Sequence, residues 1–173
     1  MLRRILTAAP IAAIAVLAVL VAALGMASGD DPTTCEQVAV EHARHVPATI
    51  TCEPAGPTGE GGWTDLTGHK PTIHVVEAPV DDADWYRWVI AHEAGHVHDV
   101  RHFTELDRHV IADLAGWPHW DRELYADAYA DAVGYPHGYG QPPTDPTTID
   151  TLRAAGYLPA PKKIVDNHNA TAA

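Results

Sequence analysis

The alternation of apolar and polar residues predicts two strands early in the chain. Residues 48–53 and 72–76 alternate in polarity and are rich in β-branched side chains, which is typical of strands. Pro71 at the start of the second segment favours an edge position in the sheet, because proline has no N–H to donate to a neighbouring strand. The Gly- and Pro-rich residues 54–62 between them predict a loop.

The other patterned segments predict helices. Thr33 and Glu36 have the spacing of a capping box. A largely apolar segment predicts a buried helix from Ala83, with an N-cap and a first turn supplied by the acidic residues around it. Thr148 caps a last short helix. The predicted helices cover about residues 33–44, 83–99, 105–115, 121–133 and 148–156. The main elements follow the order α-β-β-α-α-α, so the predicted fold class is α+β with a small sheet.

The N-terminal residues predict export. No charged residue occurs between Ile5 and Gly29, and Arg3 and Arg4 precede this run. The segment is either a signal peptide cleaved after Ala27 or an uncleaved membrane anchor. In both cases the arginines hold the N-terminus in the cytoplasm, so we expect the rest of the chain outside it. The expected organisation is a targeting segment over 1–29, a folded domain over 30–158 and a disordered tail over 159–173.

The two cysteines and the charge balance add to this picture. In an exported chain, Cys35 and Cys52 most simply form a disulfide, which would join the first helix to the first strand. A loop of this length contributes roughly 3 kcal/mol in the chain-entropy model. Eleven Lys and Arg against 23 Asp and Glu give a net charge of −12. Such a surface excludes nucleic-acid binding through a basic patch and disfavours acidic substrates.

The apolar helix contains the motif His92-Glu93-Ala94-Gly95-His96. The i, i+4 spacing places both imidazoles on one helical face, where they can bind a single zinc ion. Glu93 is offset by about 100°, which suits it to reach a metal-bound water rather than the metal. Gly95 lets another element pack closely. The alternative is a core helix whose histidines and glutamate hydrogen-bond to neighbours.

A zinc site needs a third protein ligand, and the sequence offers two candidates. Glu123 lies on a later helix with Asp127 on the same face, so that Asp127 can accept the N–H of a ligating histidine. His102 instead completes the ligand spacing of a metzincin. Asp99 occupies the position where that class has glycine, and no methionine follows to form its Met-turn. We therefore expect Glu123 to be the third ligand. His98 points away from the ligand face.

The two motifs together resemble those of the gluzincin branch of the zincin metallopeptidases, over about residues 70–135. The resemblance implies a zincin-like domain with a small sheet over an active-site helix and a downstream glutamate helix. It implies that His92, His96 and Glu123 bind Zn²⁺, that Glu93 is the general base, and that Asp127 orients a ligand histidine. The expected function is a zinc-dependent metallopeptidase that hydrolyses peptide bonds of proteins or peptides outside the cytoplasm.

The expected mechanism has Glu93 take a proton from a zinc-activated water as that water attacks the scissile carbonyl. Candidate donors to the oxyanion are Tyr135, His137 and Tyr139. The strand over 72–76, if it is an edge strand, could align an extended peptide; the alternative is an inner strand with an exposed His74.

Two other functions compete with this expectation. The first is a non-catalytic zincin-like domain that binds another protein outside the cytoplasm. The second is an extracytoplasmic metal-binding protein that uses its many histidines. The histidines outside the ligand candidates show no second site with clear ligand spacing; they are His42, His45, His69, His74, His98, His109, His119, His137 and His168.

Overall fold

The computed structural model describes residues 34–54, 61–77, 82–135 and 143–160. Within these ranges the fold is α+β, as predicted, with five helices and a three-stranded sheet. The elements in chain order are α1 (Cys35–His42), β1 (Thr49–Glu53), β2 (Gly62–Asp65), β3 (Thr72–Val76), α2 (Ala83–His102), α3 (Glu105–Ala115), α4 (Arg122–Ala132) and α5 (Pro146–Ala154).

The predicted targeting segment over 1–29 lies outside the described residues, as do residues 161–173 of the predicted tail. In the part of the chain that is described, no helix combines the length and the apolar character needed to cross a bilayer.

The sheet has the order β1-β3-β2, so that the strand over 72–76 is central. Strand β1 pairs with it in parallel, and β2 pairs with it antiparallel. The predicted edge position of this strand is therefore wrong. Pro71 is compatible with the centre because it lies just before the strand, where no ladder N–H is lost, and its carbonyl accepts the N–H of Thr49 at 2.8 Å.

Strand β2 was missed by the sequence pattern. The loop predicted over 54–62 includes only its first residue, Gly62, and the sequence pattern assigns no element to residues 63–65. The strand forms because it pairs with β3 over its whole length and packs against α2. It, and not the strand over 72–76, is the edge strand beside α2.

The helix ends show which caps the chain uses. The predicted capping box exists one residue later than expected, between Thr34 and Gln37. Asp82 caps α2, and its carboxylate accepts the N–H groups of Asp84 and Trp85. The last helix begins earlier than predicted, at Pro146 after the N-cap residue Asp145, since proline is favoured in the first turn. Thr148 is therefore not the cap.

Helix α2 is the centre of the domain. It contacts β2 and β3 on one side and α4 on the other. Gly95 permits the close approach of α4, because an added Cβ at this position would lie 2.8 Å from the Cα of Ala126. One apolar cluster lies between α2 and the sheet, with Ile73, Val75 and Ile90 fully buried in it. Packing on both sides fixes the residues of α2 relative to β2 and α4.

The disulfide between Cys35 and Cys52 is present, as predicted. It joins α1 to β1, since Cys35 is the first residue of that helix and Cys52 lies within that strand. No free cysteine remains in the chain. The bond belongs to the sheet side of the domain, where the buried Cys35 packs with the cluster under α2.

Candidate metal centre

Three potential metal ligands converge at the contact between α2 and α4. His92 and His96 lie one turn apart on α2, and Glu123 lies in the first turn of α4. One ligand atom from each lies within 4.8 Å of the other two. Nε2 of His92 is 3.2 Å from Oε2 of Glu123, and Nε2 of His96 is 3.6 Å from Oε1. Among the described residues, these three side chains form the one group of histidines and carboxylates close enough together to hold a metal ion.

The donor set and its spacing fit zinc. Zinc bonds of about 2.0–2.1 Å at tetrahedral angles place two ligand atoms about 3.3 Å apart. Nε2 of His92 lies 3.2 Å from Oε2 of Glu123 and Nε2 of His96 lies 3.6 Å from Oε1, so each imidazole has one carboxylate oxygen near this distance. Two imidazoles and one carboxylate are also the three protein ligands of many catalytic zinc sites, which leave a fourth position for water.

Asp127 fixes the orientation of the His92 ring. Its Oδ1 lies 2.9 Å from Nδ1 of His92, one turn along α4 from Glu123. A proton held on Nδ1 by this carboxylate leaves Nε2 to face Glu123. Burial lowers the pKa of His92, but the hydrogen bond to Asp127 and the charges of nearby carboxylates outweigh it, so that the pKa is raised. Binding of a metal ion to Nε2 of His92 would therefore release a proton, since a ligating imidazole is neutral.

His96 has a different environment. Burial and the neighbouring His92 lower its pKa, which favours the neutral ring that binds a metal. Its Nδ1 is buried and has no hydrogen-bond partner among the described residues, whereas its Nε2 faces Glu123. The nitrogen available to a metal is therefore Nε2 in both histidines.

Glu93 stays apart from the three clustered ligands. Its carboxylate is almost fully buried, at 6% exposure, and Oε2 accepts the hydroxyl of Thr64 at 2.7 Å. Thr64 lies on the edge strand β2, on the opposite side of the cleft from α4. Sequence reasoning missed Thr64, because it assigned no element and no role to residues 63–70. The structure thus places a held carboxylate beside the candidate metal ligands, on the same cleft.

The site opens into a cleft of about 630 Å³. Strand β2 forms one wall, α2 the floor, and the start of α4 the other wall. The lining residues are Gly61, Gly62, Trp63, Thr64, Leu66, Trp88, Val89, His92, Glu93, His96, Arg122, Glu123, Leu124 and Asp127. Gly62 lets the edge strand approach the floor, because an added Cβ would lie 2.7 Å from the side chain of Val89. The paired glycines at 61 and 62 were the available signal for this approach.

The alternative ligand His102 does not join the cluster. Helix α2 continues through Asp99 to His102, so that the chain does not turn at Asp99 as the metzincin spacing requires. Six residues after His96, His102 is rotated by about 120° from it around the helix. Its exposed ring instead packs against His98, at a centroid distance of 4.5 Å.

His98 lies on the far side of α2 from the cleft, as expected from its spacing. Its Nδ1 is 2.9 Å from the hydroxyl of Tyr125, which donates to the carbonyl of Tyr157. Burial and the neighbouring His102 lower the pKa of His98 to about 4. The ring is therefore neutral, and it contacts Phe103, Tyr125 and Tyr129, which belong to or pack against the second apolar cluster between α3, α4 and α5.

The expected oxyanion donors receive no support from the described residues. Tyr135 packs against His42 on α1, with ring centroids 5.1 Å apart, and it does not line the cleft. His137 and Tyr139 lie outside the described residues. His74, which was expected to be exposed, is half-buried on the central strand, where it stacks on Trp63 and contacts Glu53.

Comparison of the chain with protein-family models, with curated proteins and with solved structures gives no match. The interpretation of the site therefore depends on the geometry of its own residues.

Proposed function

We propose that the chain is a zinc metallopeptidase of the gluzincin type, which hydrolyses peptide bonds of proteins or peptides. The observation that carries this proposal is the separation of roles in the cleft. His92, His96 and Glu123 bring three ligand atoms together, while the buried Glu93 presents a second carboxylate beside that of Glu123. A pure metal-storage site does not require a separate carboxylate held by its own hydrogen bond.

Each residue of the cleft has a role in the proposed reaction. A zinc ion, when bound, supplies a Lewis acid that activates water and polarises a carbonyl. The two imidazoles and Glu123 would hold it, and Asp127 keeps the ring of His92 in the ligand orientation. Glu93 accepts the proton of the attacking water and passes it to the leaving amine. The hydroxyl of Thr64 keeps the Glu93 carboxylate in place for both transfers.

The edge strand β2 suits a peptide substrate. It lines the cleft, and within the part of the chain that the structure describes it pairs with β3 along one edge and with no strand along the other, where an extended chain could pair. Strand addition aligns a substrate backbone through main-chain hydrogen bonds. We therefore assign to β2 the role that the sequence pattern gave to the strand over 72–76.

We also propose that the protein acts outside the cytoplasm. The disulfide between Cys35 and Cys52 supports this location, because such bonds persist mainly in oxidising compartments. The uncharged segment over 5–29 is consistent with export by a signal peptide or with anchoring in the membrane.

The proposed function is tested by removal and return of the metal. We expect the purified protein to bind one zinc per chain and to cleave peptides in a complex mixture, as detected by mass spectrometry. Dialysis against a chelator should abolish cleavage, and stoichiometric zinc should restore it, because the reaction depends on the Lewis acid. Cleavage that persists after complete metal removal would contradict the proposal. Stable zinc binding without cleavage of any peptide would instead favour a non-catalytic binding domain.

The hydrogen bond from Thr64 gives a second, finer prediction. Thr64→Val removes the hydroxyl that donates to Glu93 and keeps the shape of the side chain. We expect kcat/KM to fall about ten- to a hundredfold, since a hydrogen bond to a charged group is worth about 1.5–3 kcal/mol. Thr64→Ser keeps the donor and should restore most of the activity. Zinc content should be unchanged in both variants. Equal activity of Thr64→Val and the wild type would show that Glu93 needs no support from β2.

A further inference from the structure

Arg122 is a cation at the wall of the cleft. It is the first residue of α4, next to Glu123, and 55% of its side chain is exposed. Nε of Arg122 lies 3.6 Å from Oδ2 of Asp99. Arg122 makes this one ion pair among the described residues. The pair uses Nε and leaves the two terminal nitrogens of the guanidinium without an ion-pair contact to Asp99. Sequence reasoning gave Arg122 no role.

The ion pair with Asp99 engages only the Nε atom of Arg122. The Asp99 carboxylate is fully buried, and its Oδ1 accepts the Nε hydrogen of Arg108 at 2.8 Å. One carboxylate thus serves two guanidinium groups, and its shorter contact is with Arg108. Arg108 also lies 3.5 Å from the exposed Glu105, so these four side chains together carry no net charge. What Arg122 offers to the cleft is the donor groups of its two terminal nitrogens, because Asp99 contacts only its Nε.

The other charged residues of the cleft determine which substrate groups Arg122 can bind. The described lining residues include Glu93, Glu123 and Asp127, and among them Arg122 is the one Lys or Arg. A bound divalent ion would offset two of these three negative charges. An anionic group on a substrate would then meet Arg122 beside the reacting centre, where a guanidinium can bind both oxygens of a carboxylate.

We propose that Arg122 is a specificity-determining residue that binds a carboxylate of the substrate close to the scissile bond. The carboxylate belongs either to an Asp or Glu side chain or to the free C-terminus of a peptide. The inference rests on the proposed peptidase function. The net charge of −12 disfavours acidic substrates at long range. At physiological salt, charges separated by more than about 8 Å are largely screened from one another. At contact distance, Arg122 therefore determines whether a substrate carboxylate is bound.

The test is a binding measurement that does not require turnover. Zinc-loaded full-length Glu93→Gln protein is titrated calorimetrically with peptides of one sequence. One peptide has a Glu side chain, one has Gln in its place, and both are made with a free acid and with an amidated C-terminus. We expect at least one carboxylate to strengthen binding about tenfold over its neutral counterpart. Tighter binding of Glu than of Gln peptides identifies a side-chain carboxylate, and tighter binding of free-acid than of amidated peptides identifies the C-terminus.

Variants of Arg122 and Arg108 decide whether Arg122 causes the preference for a carboxylate. Arg122→Gln should abolish the tenfold preference, and Arg122→Lys should retain part of it. Arg108→Gln is the matched control, because Arg108 contacts the same Asp99 but does not line the cleft; it should leave the preference unchanged. Thermal melting verifies that each variant is folded. Failure of every peptide to bind, absence of a preference, or a preference that survives Arg122→Gln would overturn the inference.

Hydrolysis of the same peptides by the wild type separates this inference from the proposed function. A carboxylate preference in KM that Arg122→Gln removes supports both. A preference in binding without hydrolysis of any peptide supports the role of Arg122 and contradicts the peptidase proposal. If Arg122→Gln instead lowers kcat equally for all four peptides and leaves their binding unchanged, Arg122 is a donor to the oxyanion and the inference is overturned.

Discussion

Glu93→Gln is expected to lower peptide hydrolysis by about 10²–10⁴-fold, the usual contribution of a general base. The substitution keeps the size of the side chain and an oxygen that can accept the Thr64 hydroxyl, which now lies 2.7 Å from the carboxylate. It removes only the ability to take a proton. Because Glu93 is not one of the three clustered ligands, the variant should still bind one zinc per chain. The measurements are kcat/KM and zinc content on the same preparation.

The variant also separates the competing functions. A protein-binding domain or a metal-storage protein has no reaction to lose, so both its zinc content and its partner would survive the change. Loss of zinc together with activity would show that Glu93 supports the fold or the metal directly. Unchanged activity would remove Glu93 from the mechanism. Thr64→Val, with its smaller expected loss, serves as the graded comparison on the same carboxylate.

Helical spacing made the ligand face predictable from sequence. The i, i+4 relation determines which side chains share a face, so His92 and His96 follow from the motif as soon as the segment is helical. The same rule places Glu123 and Asp127 together on α4. The sequence could not fix the distance between the two helices. That distance depends on the missing side chain of Gly95, where Ala126 approaches α2.

The edge of the sheet was not predictable in the same way. Strand β2 has four residues and begins with glycine, so no alternation distinguishes it from a turn. Its pairing with β3 and the contact of Gly62 with α2 are long-range interactions. This omission affected the functional prediction, because the edge of β2 and the position of Thr64 beside Glu93 follow only from the presence of this strand. The contact of Arg122 with the buried Asp99 was hidden for the same reason.

Glu123→Ala is expected to weaken zinc binding by at least about 100-fold. Outer partners of metal ligands typically contribute 10–100-fold to affinity, and a direct ligand should contribute more. The expected loss follows from geometry, since Glu123 provides the oxygens that face Nε2 of both histidines. Competition with a chromophoric chelator measures the affinity, and Asp127→Ala should fall within the 10–100-fold range because it only orients His92.

His102→Ala is the matched control, and the exposure of both side chains makes the comparison informative. Glu123 is 69% exposed and His102 is exposed at the end of α2, so neither truncation removes buried contacts that the fold needs. Similar melting temperatures without metal are therefore expected, and any difference in zinc affinity reports ligation alone. Loss of zinc with His102→Ala but not with Glu123→Ala would require α2 to turn at Asp99, against its continuous course to His102. Absence of zinc from folded wild type, even after reconstitution, would leave the motif on α2 as hydrogen-bonded core and would end the peptidase proposal.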